Sequence, residues 1–326
     1  MNVFISRMIP AVAVQLLEEA GLNVTQFSER RNIGRQELID ACMRHDALLS
    51  VGHEHLDKKF LQTCAHLKVI SLYSVGFDKI DVEEATRLGI PVGHTPGVLS
   101  AATADTAFLL MLAVSRKAFY QHKKILRGQW SYYDPVADLG IELYGKTIGI
   151  LGLGKIGYEM AKRCKGAYDM KVIYHNRHPN PQAEKELGAT YVSFEELLAQ
   201  SDVLSVHTAL TPETKGLFDG RAFEQMKTSA IFINTARGGI HDEAALKDAL
   251  EKGEIWGAGL DVTNPEPMAA DNPLLQFPNT AILPHIGSAT VEAREGMARR
   301  AAENVIAALQ GKPLPYPVNP EVSPKK

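Results

Sequence analysis

The sequence predicts an α/β protein made of two doubly wound parallel-sheet domains with a cleft between them. Three observations carry that expectation. Short β-type runs alternate with helical periods, a pattern that reads as parallel strands joined by crossover helices. Two such series are separated by a long apolar helix and an aromatic loop, and the second opens on a glycine-rich turn. The 326 residues suit two domains, at roughly 150 residues each.

In the first series NVFIS is a strand and AVAVQLLEEAG, closed by Gly21, a helix. ALLSV at 47–51 and KVISLYSVG at 68–76 are further strands. ATADTAFLLMLAVSRK, 102–117, reads as a long apolar helix with basic residues at its end, where the helix dipole favours them. GQWSYYDP at 128–135 is an aromatic loop.

The second series begins at GKTIGILGLGKIG, 145–157, where an apolar strand runs into a glycine-rich turn and a helix. Further strands are expected at KVIYH (171–175), TYVSF (190–194), DVLSVH (202–207), AIFINT (230–235), WGAGLDV (256–262) and TAILPH (280–285). Six strands with helical connections match a doubly wound nucleotide-binding sheet. The last helix, near 288–310, has no place in that sheet, and PLPYPVNPEV after it is proline-rich and extended. The tail is therefore expected to return to the first domain. That makes a discontinuous substrate-binding (catalytic) domain of 1–100 and 289–326 around a dinucleotide-binding domain of 101–288.

Composition narrows the function. With 45% apolar residues, 22% charged and 26 Gly, the chain reads as an ordinary soluble globular protein. A net charge of −3 argues against nucleic acid, whose binding domains carry dense basic surface. Cys42, Cys64 and Cys164 are odd in number and outside any CxxC spacing, which points to buried thiols in a reducing compartment. MNVFISRMIP lacks the features of a signal peptide. The longest apolar run, AFLLMLAV, falls short of the ~20 residues of a membrane helix. The expectation is a cytoplasmic protein with a small-molecule partner, no membrane and no nucleic acid.

Gly152, Gly154 and Gly157 form GxGxxG between strand and helix. Glycine there permits a tight turn, close approach to a pyrophosphate and close packing of helix on strand, with Lys155 and Ile156 opening the helix whose amides face the anion. The same rule places an acidic residue about 20 positions on, for the ribose 2′-hydroxyl. Counting 19 residues from Gly157 lands on Asn176, followed by Arg177 and His178. A carboxylate would repel a 2′-phosphate, whereas arginine pairs with one. NADP(H) is thus the expected cofactor, with NAD(H) also accommodated; a solvated loop is the plain alternative. No metal is expected, because His175 and Asn176 alternate across the strand and no nearby carboxylate completes a ligand set.

Three later motifs stand at strand ends: NTARGG (234–239), GLDVTNPEP (259–267) and LPHIGSAT (283–290). Each offers one group suited to carbonyl reduction. Arg237 can hold a carboxylate and polarise a carbonyl oxygen. His285 can give the proton an alkoxide needs. Glu266 on its other ring nitrogen would favour and orient the imidazolium. Taken singly, each also suits an ordinary surface, loop or strand-end residue.

Together with SVGFDKIDVEEATRLGIPVGHTPGVLSAATAD and GKTIGILGLGKIG, these motifs make nearly the whole chain resemble the NAD(P)-dependent D-2-hydroxyacid dehydrogenases, in particular the glyoxylate/hydroxypyruvate reductase branch. The resemblance implies Rossmann-like or flavodoxin-like domains and a catalytic triad of Arg237, Glu266 and His285. It implies that the backbone at Val75 and Gly76 binds the substrate carboxylate with Arg237, and that His285 also contacts the substrate, at the oxygen it protonates. Asp261 would meet the nicotinamide carboxamide, Thr103 the cofactor phosphates, and His207, Thr235 and Ala236 the cofactor groove. A homodimer is also implied. Where relatives carry a bulky aromatic that reaches the partner's active site, this chain has Tyr133. The expected reaction is reduction of a short 2-oxo acid to the D-2-hydroxy acid. A 2-ketogluconate or D-lactate dehydrogenase stays open, as does a non-catalytic dinucleotide sensor of corepressor type. The loops at 51–57 and 128–135 would supply the pocket walls that separate these substrates.

Overall fold

The computed structural model describes residues 1–52 and 54–324; His53, in the 51–57 loop, lies outside the described residues. The chain divides into two compact units, Met1–Leu99 with Ala289–Lys326, and Ser100–Ser288. Each is a wholly parallel α/β layer structure, as the alternating pattern predicts.

The first unit runs β1 (Asn2–Ile5), α1 (Ala11–Glu19), β2 (Asn23–Gln26), α2 (Arg35–Cys42), β3 (Ala47–Ser50), α3 (Lys58–Thr63), β4 (Val69–Leu72), α4 (Val82–Arg87) and β5 (Val92–Gly93). Its strands lie in the order β2-β1-β3-β4-β5, the flavodoxin-like winding. Phe4, Leu48, Ile70 and Val92 meet α2 and α3 through Leu38, Cys42, Phe60 and Leu61 on one face. The long final helix of the chain, Val291–Leu309, packs on α1 and on β3, β4 and β5. Its stripe of Ala293, Met297, Ala301, Val305 and Ala308 is buried, and buried Ser71 donates from Oγ to Ala301 O at 2.9 Å. Beyond it the proline-rich tail hydrogen-bonds to β5: Val318 N donates to Val92 O at 2.7 Å, and Asn319 accepts from Val92 N and donates to Ile90 O.

The second unit runs α5 (Ser100–Ser115), α6 (Ala118–Leu126), β6 (Thr147–Leu151), α7 (Lys155–Tyr168), β7 (Lys171–His175), α8 (Pro181–Leu187), β8 (Thr190–Tyr191), α9 (Phe194–Gln200), β9 (Val203–Val206), α10 (Gly220–Glu224), β10 (Ile231–Asn234), α11 (Glu243–Lys252), β11 (Gly257–Leu260) and β12 (Thr280–Ile282); the final helix is then α12. The sheet order is β12-β11-β10-β9-β6-β7-β8. Counted from β6 this is the Rossmann winding with one more strand at the edge, and its direction reverses between β6 and β9. Both faces are covered. Ile148, Ile150, Ile231 and Ile233 meet α5 and α7 through residues such as Leu110, Met111 and Met160. Leu151, Leu204 and Phe232 point the other way onto Phe218, Phe223 and Leu246. This two-sided burial is why the strands read as continuous apolar runs.

Candidate active site

A parallel sheet delivers the residue after each strand to one common edge, and the crevice where the strand order reverses is the usual ligand position. Six neighbouring strands of the second unit do this here. In sheet order, His285 follows β12, Asp261 and Glu266 follow β11, and Thr235, Ala236 and Arg237 follow β10. His207 follows β9, the glycine turn follows β6, and Asn176 and Arg177 follow β7. Thr103 comes from α5 and lies close to Gly287, where an added Cβ would sit 3.4 Å from Thr103 Oγ1 and 3.0 Å from Asp261 Oδ2. Val75 and Gly76 follow β4 in the first unit. Their carbonyls are braced there by His94 Nδ1 at 2.9 Å and Ser74 Oγ at 2.7 Å respectively.

The three glycines of the turn differ in what demands them. Gly152 has φ +92, and an added Cβ would lie 2.7 Å from Thr208 N. Gly157 presses on the strand, its would-be Cβ 2.5 Å from Gly152 O. Gly154 has an ordinary φ of −86, and a Cβ there would meet nothing within 4 Å. The chain's own packing therefore does not require glycine at 154. Open space over the first turn of α7, which has no side-chain cap, fits the close approach of a dinucleotide pyrophosphate. Thr235 adds a second sign of fit, since its buried Oγ1 has no partner among the described residues.

At the end of β7 the Asn176 side chain turns inward. Its Oδ1 accepts from Leu153 N of the glycine turn at 2.6 Å, while its carbonyl accepts from Tyr191 OH. Arg177 and His178 are exposed. His175, which drew attention as a metal-type residue, places Nδ1 2.8 Å from Val192 O and stacks on Tyr191. His207 sets Nε2 2.8 Å from Ser205 Oγ, and burial holds its pKa down at about 3, so the ring is neutral.

Glu266 and His285 lie on two adjacent loops, those after β11 and β12. Glu266 stands between two cis prolyl bonds, and its Oε1 is 2.5 Å from His285 Nδ1. A carboxylate at Nδ1 makes that nitrogen the donor and leaves Nε2 to exchange a proton. His285 itself has φ +54, and Asp261 holds that turn by accepting from Ile286 N and Gly287 N, both at 2.7 Å. Burial pushes the Asp261 carboxyl above its usual range, while those two amides pull the other way. Arg237 is half-buried, and its Nη1 donates to Ala236 O at 2.7 Å. The next residue, Gly238, sits so close to the β11 loop that a Cβ would be 2.0 Å from Thr263 O.

Residues 108–287 fit the family model of the D-isomer specific 2-hydroxyacid dehydrogenase NAD binding domain. A glyoxylate reductase of Thermococcus litoralis is 44% identical, over 98% of this chain and 97% of the relative. The chain belongs to the D-isomer specific 2-hydroxyacid dehydrogenases. Among solved structures the dehydrogenase superposes on the TT0316 protein of Thermus thermophilus with TM-score 0.91 and 42% identity, covering 98% of this chain and 100% of the other. It also resembles an NADPH-dependent glyoxylate/hydroxypyruvate reductase from Sinorhizobium meliloti, solved with NADP and malonate, with TM-score 0.85, 28% identity and coverage of 100% and 98%. The dehydrogenase is thus an NAD(P)-dependent oxidoreductase.

Within the dehydrogenase two residues that sequence reasoning passed over fasten the candidate groups. Asn180 donates from Nδ2 to Leu153 O at 3.0 Å, gripping the glycine turn beside Asn176. Asn234, the last residue of β10, is fully buried and holds the turn that carries Arg237. A polar residue ending an apolar strand just before ARGG was the available signal.

Proposed function

We infer that the chain reduces a short 2-oxo acid with NADPH, glyoxylate to glycolate or hydroxypyruvate to the D-2-hydroxy acid, as a cytoplasmic homodimer. The observation that carries this reading is the His285–Glu266 pair at 2.5 Å, on the loops one and two strands from Arg237 at one edge of a dinucleotide-type sheet. The first unit, with residues 289–326, takes the substrate role and the second the cofactor role.

Arg237 binds the substrate carboxylate, and the guanidinium also draws charge from the C2 oxygen; Val75 and Gly76 are the substrate-binding backbone of the first unit. Bound reduced nicotinamide supplies the hydride for C2. His285 gives its Nε2 proton to the oxygen as negative charge grows there, a contribution of roughly 10²- to 10⁴-fold. Glu266 stabilises the imidazolium before transfer and fixes the ring. Gly152, Gly154, Lys155, Ile156 and Gly157 cradle the pyrophosphate with Thr103, Asp261 takes the carboxamide, and His207, Thr235 and Ala236 line the groove. For the 2′-phosphate, the exposed guanidinium of Arg177 is the reader. Asn176 spends its oxygen on Leu153 N and presents no negative charge to repel the phosphate. The Sinorhizobium relative, NADPH-dependent and solved with NADP, supports that choice.

The homodimer draws on α6 and the loop after it. Leu126, Trp130, Tyr132, Tyr133 and Val136 are all at least 70% exposed, an apolar concentration that a monomer seldom leaves to water. Sedimentation should give a dimer, and Trp130→Lys with Tyr133→Lys should give a monomer; a wild-type monomer would remove this part of the reading.

The test of the reaction is a panel of glyoxylate, hydroxypyruvate, pyruvate and 2-ketogluconate, each with NADH and NADPH. Glyoxylate or hydroxypyruvate with NADPH should turn over fastest, and His285→Ala should lower kcat at least ~100-fold with NADPH affinity unchanged. Cofactor binding without oxidation of any substrate pair would point instead to a dinucleotide sensor.

A further inference from the structure

His241 is a buried histidine that the proposed reaction does not use. It follows the Arg237 turn, is 2% exposed, and lies edge-on to Phe232 in the apolar layer beneath the sheet. Its Nδ1 is 3.1 Å from Asn234 Nδ2. Nitrogen faces nitrogen here, and the amide can only donate, so Nδ1 must be the acceptor and the ring proton must sit on Nε2. That Nε2 has no hydrogen-bond partner among the described residues. An aliphatic side chain would fill the space without such an orphan.

Asn234 is where the histidine acts. The carboxamide has two protons on Nδ2. One goes to Arg237 O at 2.9 Å and the other to His241 Nδ1, while Oδ1 accepts from Ala236 N at 2.9 Å. Both protons and the oxygen of that amide are engaged, and two of the three partners are backbone groups of the turn that carries the arginine. Rotating the amide by half a turn would set its oxygen against Arg237 O and its NH₂ against Ala236 N. The lone pair on His241 Nδ1 favours the orientation that holds the turn.

We propose that His241, acting through the Asn234 carboxamide, is a positioning residue for Arg237 and so for recognition of the substrate carboxylate. The proposal rests on the role given to Arg237 above. An arginine that holds the substrate carboxylate and also draws charge from the C2 oxygen acts on binding and on the transition state, so its misplacement shows in KM and in kcat. His241→Leu removes the acceptor. His241→Asn restores one close to the Nδ1 position, whereas His241→Gln carries its amide one methylene further out.

The experiment measures, for wild type, His241→Leu, His241→Asn, His241→Gln and Arg237→Ala, three quantities. They are KM and kcat for glyoxylate at saturating NADPH, the Kd of NADPH by nicotinamide fluorescence, and the Kd of oxalate by calorimetry with NADPH bound. Leucine and glutamine should raise KM and the oxalate Kd about tenfold, equivalent to ~1.4 kcal/mol, with kcat lowered alongside and the NADPH Kd unchanged. Asparagine should recover both to within about twofold of wild type. Leucine at wild-type KM, or asparagine no better than glutamine, overturns the proposal, and the second comparison still decides if the leucine variant does not fold. If Arg237→Ala leaves oxalate binding intact, the carboxylate role of Arg237 fails and this proposal falls with it. Loss in Arg237→Ala with no loss in the His241 variants overturns this proposal alone.

Discussion

In the proposed NADPH site, Arg177 and Asn176 divide a task that one carboxylate performs in an NAD-type site. The asparagine gives its oxygen to the Leu153 amide and so holds the glycine turn, while the arginine stands in water. A guanidinium that pairs with a 2′-phosphate gains charge-assisted hydrogen bonds that a ribose hydroxyl does not offer. Arg177→Ala should therefore raise KM for NADPH about tenfold or more and leave KM for NADH within about twofold; equal effects on both would return Arg177 to ordinary surface. The count from Gly157 located these residues from sequence, because strand and helix lengths in a βαβ unit are nearly fixed. The inward turn of Asn176 was not legible, since it depends on where Leu153 N lies. Asn234 and His241 were hidden for a related reason: two of the Asn234 partners are backbone groups, and the third is the His241 ring, all brought together only by the folded turn.

At the level of elements, two glycines in the loops after β10 and β6 make opposite demands. Gly238 has a backbone carbonyl 2.0 Å from where a Cβ would be, so Gly238→Ala must push the Arg237 turn away from the Thr263 loop. The expected cost is ~1–3 kcal/mol of stability, together with loss of activity. Gly154→Ala meets no protein atom and should melt as wild type does, yet bind NADPH about tenfold more weakly. A lowered melting temperature in Gly154→Ala would show that its own fold needs the glycine. The strands at 171–175 and 230–235 were readable because burial on both faces makes them uninterrupted apolar runs. β2, with the sequence NVTQ, is a polar edge strand, and β5 has only two residues. Neither carries a period that composition can register. TYVSF shrinks to Thr190–Tyr191 because Ser193 caps α9 and Phe194 begins that helix.

For the molecule as a whole, the two neutral histidines set a pH dependence. His207 and His241 are held at about 3 and about 4 by burial, against an ordinary value of ~6.5. Unfolding restores the ordinary value, so below pH ~6.5 the unfolded chain binds more protons and stability falls with added acid. The loss continues down to the folded values and amounts to ~3 kcal/mol for fully buried His241. Above pH ~7 neither group contributes a slope. The chemical-denaturation midpoint should drop between about pH 7 and about pH 4.5, and less steeply in His241→Asn. Parallel curves for the two proteins would mean that His241 titrates normally in the fold. No helix among the described residues is long and apolar enough to cross a membrane, and Cys42, Cys64 and Cys164 are buried free thiols.

The route of the chain through its first unit bears on synthesis. That unit is closed by α12 and by the Asn319 contacts to β5, so this packing surface leaves the ribosome after residues 100–288. The unit of residues 100–288 is complete earlier, and domains fold as units while the chain grows. A ribosome-bound chain arrested with α12 still in the exit tunnel should therefore hold a protease-resistant 100–288 body next to a digestible 1–99 segment. The order of maturation is then the reverse of the order of translation for the first ninety-nine residues.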